Sequence, residues 1–185
     1  MKRIIATLLA GLALLALVGC SSGKPAASAT PKDYTQILHD ARSDEDNEYN
    51  MIFTKDEDGK FTAQYGYSSD YDADQLNEEI ENMLLPLLGL EEGSYTDFAA
   101  SVSAMMTQSY GVAIVKPAEG KTQAVVDAFD NYVLSQQQTM EHYLEDQYEI
   151  AKAAKVETAP TGEVILVCCE DSDTVLANIK AALAK

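Results

Sequence analysis

Basic side chains and histidine are scarce in this chain. Its 185 residues include 13 Lys and Arg against 30 Asp and Glu, which gives a formal net charge of -17 at pH 7. Nucleic acids and anionic lipid headgroups are bound through clusters of Lys and Arg, so no nucleic acid is expected as a partner. The two histidines, His39 and His142, are far apart in sequence, whereas zinc sites and serine or cysteine triads usually need a histidine with identifiable partners.

Cysteine is also rare, and there is no tryptophan. The three cysteines are Cys20, Cys168 and Cys169. Neighbouring residues on a strand point to opposite faces, so a disulfide between Cys168 and Cys169 would need a strained ring. A redox pair is more usually spaced Cys-x-x-Cys near a helix N-terminus, so we interpret these two thiols as packing residues of a buried strand.

The first twenty residues have the layout of an export signal. Two basic residues precede an apolar run over 4–18, which is shorter than the roughly 20 apolar residues that a permanent transmembrane helix needs. Leu-Val-Gly-Cys at 17–20 resembles the bacterial lipobox, in which the cysteine receives a diacylglycerol and becomes the new N-terminus. We therefore expect residues 1–19 to be a lipoprotein signal peptide and Cys20 to be lipidated. The alternative is an ordinary cleaved signal with an incidental cysteine.

A short polar segment separates this signal from the rest of the chain. Residues 20–32 comprise the cysteine and a run of small residues and proline, which predicts a flexible tether. Residues 33–185 have the length of a single domain. Because two acyl chains make membrane attachment stable, we expect the protein to be lipid-anchored in the cell membrane on its extracytoplasmic face. Apart from this lipid modification, no cofactor is expected.

The beginning of the domain predicts a helix and a hairpin. A short helix over 33–42 would be capped by the side chain of Asp33, and the acidic stretch 43–50 is interpreted as a loop. The β-prone runs 51–54 and 61–65 flank Asp-Glu-Asp-Gly, a sequence that favours a hairpin turn.

A second helix is predicted over 74–88, because apolar residues recur there at helical spacing. Asp72 or Asp74 would cap it, and the proline near its end should kink or end it. Asp70, Asp72, Asp74 and Glu81 also reproduce the ligand spacing of a calcium loop. A glutamine stands where such a loop needs glycine, and helix capping explains the same carboxylates, so calcium is the weaker interpretation and no metal site is expected.

The second half of the domain predicts an alternation of strand pairs and helices. In order, the segments are strands over 98–106 and 110–116, a long helix over 121–143 that continues or restarts near Leu144, strands over 156–159 and 163–170, and a final helix beginning at 171–173. This strand-strand-helix-strand-strand-helix order predicts an α+β fold with an antiparallel sheet and helices packed on one face.

Four segments of this half carry a family resemblance. They are Ser-Val-Ser-Ala-Met-Met at 101–106, Tyr-Gly-Val-Ala-Ile-Val-Lys-Pro at 110–117, Tyr-Leu-Glu-Asp-Gln-Tyr at 143–148 and Val-Ile-Leu-Val at 164–167. They resemble an uncharacterised bacterial lipoprotein family, domain of unknown function 4358, which is found mainly in Gram-positive bacteria. The resemblance spans about 33–183 and includes the lipobox. It implies a lipid-anchored single domain on a Gram-positive envelope, and it implies no catalytic residue.

Tyrosine is abundant, and three tyrosines cluster beside the first hairpin. These are Tyr65, Tyr67 and Tyr71, of ten in the chain. Tyrosine-rich surfaces bind glycans or peptides, but packing in the core or at a sheet edge is the commoner role and the one that we favour here.

The sequence as a whole favours a non-enzymatic binding or interaction module at the cell envelope, with an envelope protein or a small ligand as partner. The alternative is an envelope enzyme or enzyme accessory whose catalytic residues are not recognisable from sequence. An enzyme would require a concave pocket with convergent polar groups, so the side chains around any such pocket discriminate between the two hypotheses.

Overall fold

Antiparallel strands form the centre of the fold. The computed structural model describes residues 32–55, 59–103, 105 and 107–185, which belong to one compact unit. In this part of the chain six strands lie side by side in the order β2-β1-β3-β4-β6-β5, and every neighbouring pair is antiparallel. The strands are β1 (Ile52–Lys55), β2 (Phe61–Gln64), β3 (Tyr95–Val102), β4 (Gly111–Pro117), β5 (Lys155–Thr158) and β6 (Val164–Cys168).

Helices connect and cover these strands. They are α1 (Tyr34–Ala41), α2 (Asp44–Tyr49), α3 (Ala73–Glu79), α4 (Leu85–Leu88), α5 (Thr122–Met140), α6 (Glu145–Ala153) and α7 (Ser172–Leu183). A 3₁₀ turn (Ser68–Asp70) precedes α3, and a π-helical segment (Ile80–Leu84) joins α3 to α4. Among the helices of the described residues, none is both long enough and apolar enough to span a bilayer.

The helices pack on both faces of the sheet. Along β6, Leu166 and Cys168 contribute to a core shared with α3, α4 and α5, whereas Ile165 and Val167 contribute to a core shared with α1 and α7. The predicted α+β class with an antiparallel sheet is confirmed. The helices are not confined to one face as expected, because the central strands are apolar on both sides and α1 and α7 cover the second side.

Capping side chains begin two of the helices where the sequence predicts them. The carboxylate of Asp33 accepts the N–H of Gln36 at 3.0 Å and caps α1. The carboxylate of Asp72 accepts the N–H groups of Asp74 and Gln75, while the Gln75 side chain accepts the N–H of Asp72. This reciprocal capping box satisfies backbone donors that the first turn of α3 leaves free.

The acidic stretch 43–50 is helical over Asp44–Tyr49 and is not the predicted loop. The hydroxyl of Ser43 caps α2 by accepting the N–H of Asp46 at 3.0 Å, and acidic residues occupy the first turn, where the helix dipole favours negative charge. None of its residues is buried, so no apolar periodicity marks this helix in the sequence.

The helix predicted over 74–88 is interrupted by its π-helical segment. There the N–H of Leu85 donates to the carbonyl of Ile80, one residue farther back than in an α-helix. Pro86, which has no N–H to donate, lies in the first turn of α4, and the helical path ends at Gly89 with a φ of 67°.

Both predicted hairpins and the long helix are confirmed. Strand β1 pairs with β2 and β5 pairs with β6, both in antiparallel register. The turn residues 56–58 lie outside the described residues. Helix α5 ends at Met140 and α6 begins at Glu145, so the helical path restarts near Leu144, one of the two courses that the sequence allowed.

Candidate functional site

A cleft of about 800 Å³ opens at one end of the sheet, where β3 and β6 end and β4 begins. We call it the sheet-end cleft. Its lining residues come from 41–50, 108–110, 147–150 and 169–178, together with Tyr67, Ser103 and Met105. The cleft is therefore assembled from the α1–α2 region, the β3–β4 connection, α6 and the beginning of α7.

Arg42 holds one wall of the cleft together. Its side chain is buried, and Nη1 donates to Ser101 Oγ at 2.7 Å and to Tyr110 Oη at 2.9 Å. Nε and Nη2 both donate to Asn47 Oδ1, and Nη2 also donates to the carbonyl oxygen of Asn50. All these acceptors are neutral, and together they occupy the donors of the guanidinium fork. The hydrogen-bond donors of Arg42 are thus used within the fold and are not offered to a ligand, although its positive charge remains in the wall of the cleft.

The rim of the cleft is acidic. Glu45 and Asp46 on α2, and Glu170 and Asp171 between β6 and α7, line it. The ion pairs found among the described residues do not involve any of these four side chains. Four carboxylates against the single guanidinium of Arg42 give the lining an excess of negative charge, which attracts cations and repels anions.

Two tyrosines stand at the mouth of the cleft. Tyr49 and Tyr67 are 51% and 53% exposed, and their ring centroids lie 6.3 Å apart at an interplanar angle of 49°. Of the tyrosine cluster predicted from sequence, only Tyr67 reaches this cleft; Tyr65 stacks on the ring of His39 at 4.1 Å. Exposed aromatic rings of this kind provide apolar faces for a ligand at little entropic cost.

Ser109 is a buried polar residue with an unused hydroxyl. The residue is 2% exposed and lines the cleft, and its N–H is bonded to Gln147 Oε1 at 2.8 Å. Its Oγ has no hydrogen-bond partner among the residues that the structure describes. A buried hydroxyl without a partner is costly, and this one belongs to a residue that lines the cleft.

The two neighbouring cysteines are free and buried, in agreement with the packing interpretation. Cys168 belongs to the core beneath α5, whereas Cys169 belongs to the opposite core and borders the cleft. Burial raises the pKa of each thiol to about 12. Both are therefore protonated near neutral pH and are weak nucleophiles there.

The carboxylates with calcium-loop spacing do not converge. Asp72 caps α3, Asp74 lies in the first turn of that helix, and Glu81 lies in the π-helical segment, while Asp70 ends the preceding 3₁₀ turn. Within the described ranges, no group of three or more His, Cys, Asp or Glu side chains is placed to hold a metal ion.

The two histidines remain separate, and the predicted lipidation site is not described. His39 contacts Asp40 through Nδ1 at 3.1 Å, and His142 is exposed beside Glu141. Cys20, like the predicted signal peptide and all but the last residue of the predicted tether, lies outside the described residues.

A family model identifies the chain. The model described as domain of unknown function, DUF4358, matches residues 68–169. The chain belongs to this family. No curated protein and no solved structure matches it. The match is shorter than the range of about 33–183 suggested by the resemblance, and it runs from the 3₁₀ turn before α3 to Cys169.

The sheet-end cleft is only partly built from the DUF4358 match. Ser109, Tyr110 and Gln147 lie within the matched residues, whereas α1, α2 and α7 lie outside them. The acidic rim and Tyr49 thus come entirely from the flanking segments. The site is not apparent from the sequence because its residues are far apart in the chain; local patterns singled out Tyr67 and Cys169.

Proposed function

We propose that this DUF4358 chain is a lipid-anchored, extracytoplasmic binding module whose ligand occupies the sheet-end cleft. The anchor is proposed from the sequence, namely the export signal and the lipobox that ends at Cys20. Lys32, at the start of the described domain, donates from Nζ to the carbonyl oxygen of Leu183 and precedes α1, whereas Arg42 in the cleft wall follows α1. The chain thus enters the domain at the end of α1 remote from the cleft.

The observation that carries the binding role is the cleft itself. Ligand sites commonly have volumes of roughly 300–1,000 Å³, with aromatic surface and a few placed polar groups. The sheet-end cleft is about 800 Å³ in volume and combines Tyr49, Tyr67, an unpartnered Ser109 hydroxyl and an acidic rim. The wall behind them is held by the hydrogen bonds of Arg42, which favours a preformed site.

The side chains at the cleft support binding over the alternative of an envelope enzyme. Cys169, which borders the cleft, has a pKa raised by burial to about 12 and is protonated near neutral pH. Tyr110 is buried against the Arg42 guanidinium, and burial raises its pKa above the usual range, so it is a poor general base. These groups stabilise the wall, while the residues at the mouth are suited to contacts with a ligand.

Site-specific photo-crosslinking in cells of the native host tests the binding role. A photoreactive benzoylphenylalanine would replace Tyr67 in the full chain, and the matched control would carry it at Tyr143, which is 66% exposed and is not among the cleft residues. We expect a discrete adduct from position 67 that is absent from position 143. No adduct at position 67, or the same adducts at both positions, would contradict a ligand in the cleft.

A further inference from the structure

We infer that the ligand of the sheet-end cleft is an organic cation, a molecule that carries ammonium or guanidinium groups. This inference rests on the proposed function and specifies the chemistry of its ligand. Three independent features of the cleft support it: the charge of the rim, the aromatic pair at the mouth and the unpartnered hydroxyl at the floor.

The rim charge selects the sign of the ligand. Glu45, Asp46, Glu170 and Asp171 surround the opening, and the cationic side chain among the cleft residues is Arg42, whose donors already bind Asn47, Ser101, Tyr110 and the Asn50 carbonyl. An anion would meet the repulsion of four carboxylates against the attraction of one guanidinium whose donors are already occupied, so its binding would be opposed on balance. A cation is attracted by the carboxylates of the rim and also by the net charge of -17 of the whole chain.

The aromatic pair provides a second contact for positive charge. An ammonium or guanidinium group within about 6 Å of a tyrosine ring is attracted by the negative face of the ring. The rings of Tyr49 and Tyr67 are half exposed and stand 6.3 Å apart between centroids, and Tyr49 belongs to the same helix, α2, as Glu45 and Asp46. The methylene groups of an alkylamine would cover the apolar surface of the same rings.

The unpartnered Ser109 hydroxyl is the third feature of the cleft that supports a cationic ligand. Its oxygen is an acceptor, and an ammonium group has donors but no acceptor. Gln147, whose side-chain oxygen already accepts the Ser109 N–H at 2.8 Å, fixes that part of the wall. A cation bound beside Ser109 would give this buried oxygen a donor that the described residues do not supply.

Isothermal titration of the full chain in detergent with two probes tests the inference. The probes are N-acetyl-tetralysine amide, which represents a polypeptide source, and spermidine, which represents a free polyamine. We expect saturable one-to-one binding of at least one probe, with weaker affinity as salt rises from about 50 to about 300 mM. Binding of the peptide alone assigns the cation to a polypeptide, and binding of spermidine assigns it to a small amine. Binding of neither probe overturns the inference.

A charge-matched pair of variants separates the cleft from the general acidity of the chain. The cleft variant combines Glu45→Gln, Glu170→Gln and Asp171→Asn, and the control combines Glu78→Gln, Glu119→Gln and Asp130→Asn, which lie outside the cleft. We expect the cleft variant to bind about tenfold more weakly and the control to bind like the parent protein. Equal losses in both variants would show attraction to the whole surface and would overturn the inference.

The Ser109→Ala variant adds a test at the floor of the cleft. Because the hydroxyl has no partner among the described residues, its removal should leave the melting temperature unchanged or higher. The affinity for the probe should nevertheless fall several-fold. Unchanged affinity in this variant and in the cleft variant would contradict the inferred site.

Failure of the cation inference can be distinguished from failure of the proposed binding function. If neither cationic probe binds but the crosslinker at position 67 still gives its discrete adduct, the cleft has a ligand of another class and only the cation inference fails. Binding of N,N′-diacetylchitobiose, a neutral sugar, in place of both cations would have the same meaning. If the adduct is also missing, the binding role itself fails.

Discussion

Arg42 connects parts of the chain that are distant in sequence. It lies immediately after α1, and its guanidinium bonds Ser101 on β3, Tyr110 before β4 and two asparagines around α2. Removal of the guanidinium would leave the buried Ser101 and Tyr110 hydroxyls with fewer partners. At the residue scale, this side chain therefore sets the shape of the cleft wall.

The Arg42→Met substitution should lower the free energy of unfolding by about 3 kcal/mol, because several buried hydrogen bonds are lost at once. Urea unfolding measures the change. The stability of the Arg42→Lys variant should fall between those of the parent protein and the Arg42→Met variant, since an ammonium group cannot reproduce the hydrogen bonds of the guanidinium fork. The control is Lys116→Met at an exposed position near the end of β4, for which we expect a change within about 0.5 kcal/mol. Equal losses for the two methionine variants would show that Arg42 does not hold the wall.

Because of the two buried thiols, the free energy of unfolding should decrease as pH rises in the alkaline range. Burial raises the pKa of Cys168 and Cys169 from 9.0 to about 12, so above pH 9 the unfolded chain loses thiol protons that the folded chain keeps. The stabilisation that comes from keeping these thiols protonated is fully present below their pKa in the unfolded chain. It is lost as pH rises toward their pKa in the folded chain. Each thiol lowers the free energy of unfolding by up to about 1.4 kcal/mol per pH unit in this window.

Urea unfolding at about pH 8 and about pH 10.5 measures this decline. The double variant Cys168→Ala, Cys169→Ala should be less stable at both pH values because of its cavities, but its stability should fall less between them. The buried tyrosines remain in both proteins and cancel in the comparison. An identical decline in both proteins would refute the assignment.

At the scale of helices and strands, amphipathic and β-prone elements could be predicted from sequence. Helices α5 and α7 follow from apolar residues at helical spacing, and both hairpins follow from turn residues between β-prone runs. Helix α2 could not be found in this way because it buries no residue and is stabilised by its cap and its charges. The second helical layer was missed because a strand that is apolar on both sides does not show which elements cover each side.

The candidate site was less predictable than the fold. Its rim comes from α2 and from the β6–α7 turn, which are more than a hundred residues apart in the chain but adjacent in the structure. Contacts of this kind depend on the strand order, in which β4 lies between β3 and β6. Local sequence patterns contain no information about that order, so the cleft became visible only in three dimensions.

The capping box of α3 gives a prediction at the element scale. Asp72→Ala should lower the free energy of unfolding by about 1 kcal/mol, because the Asp72 carboxylate caps two backbone N–H groups. The control is Asp74→Ala in the same turn, where only a favourable charge near the helix N-terminus is lost and the change should stay within about 0.5 kcal/mol. Equal losses in the two variants would contradict the capping assignment.

At the scale of the whole molecule, the described domain begins next to the end of α1 that is remote from the cleft, and the proposed anchor precedes it in sequence. Intact mass and membrane fractionation of the native protein beside a Cys20→Ala variant test the anchor. We expect a mass that matches a diacylglyceryl chain beginning at Cys20, in the membrane fraction, and no such species for the variant. An unlipidated, freely released protein would refute the anchor and would return Cys20 to the count of free thiols.

The central claim is that a cationic ligand occupies the sheet-end cleft, and a map of backbone amide chemical shifts during titration tests it most directly. The full chain in detergent would be labelled with ¹⁵N and titrated with N-acetyl-tetralysine amide. We expect the largest shifts at amides in 42–50, 107–110 and 170–178, which the fold brings together around the cleft. Shifts spread evenly over the acidic surface, or concentrated on α5 and β5, would contradict the account.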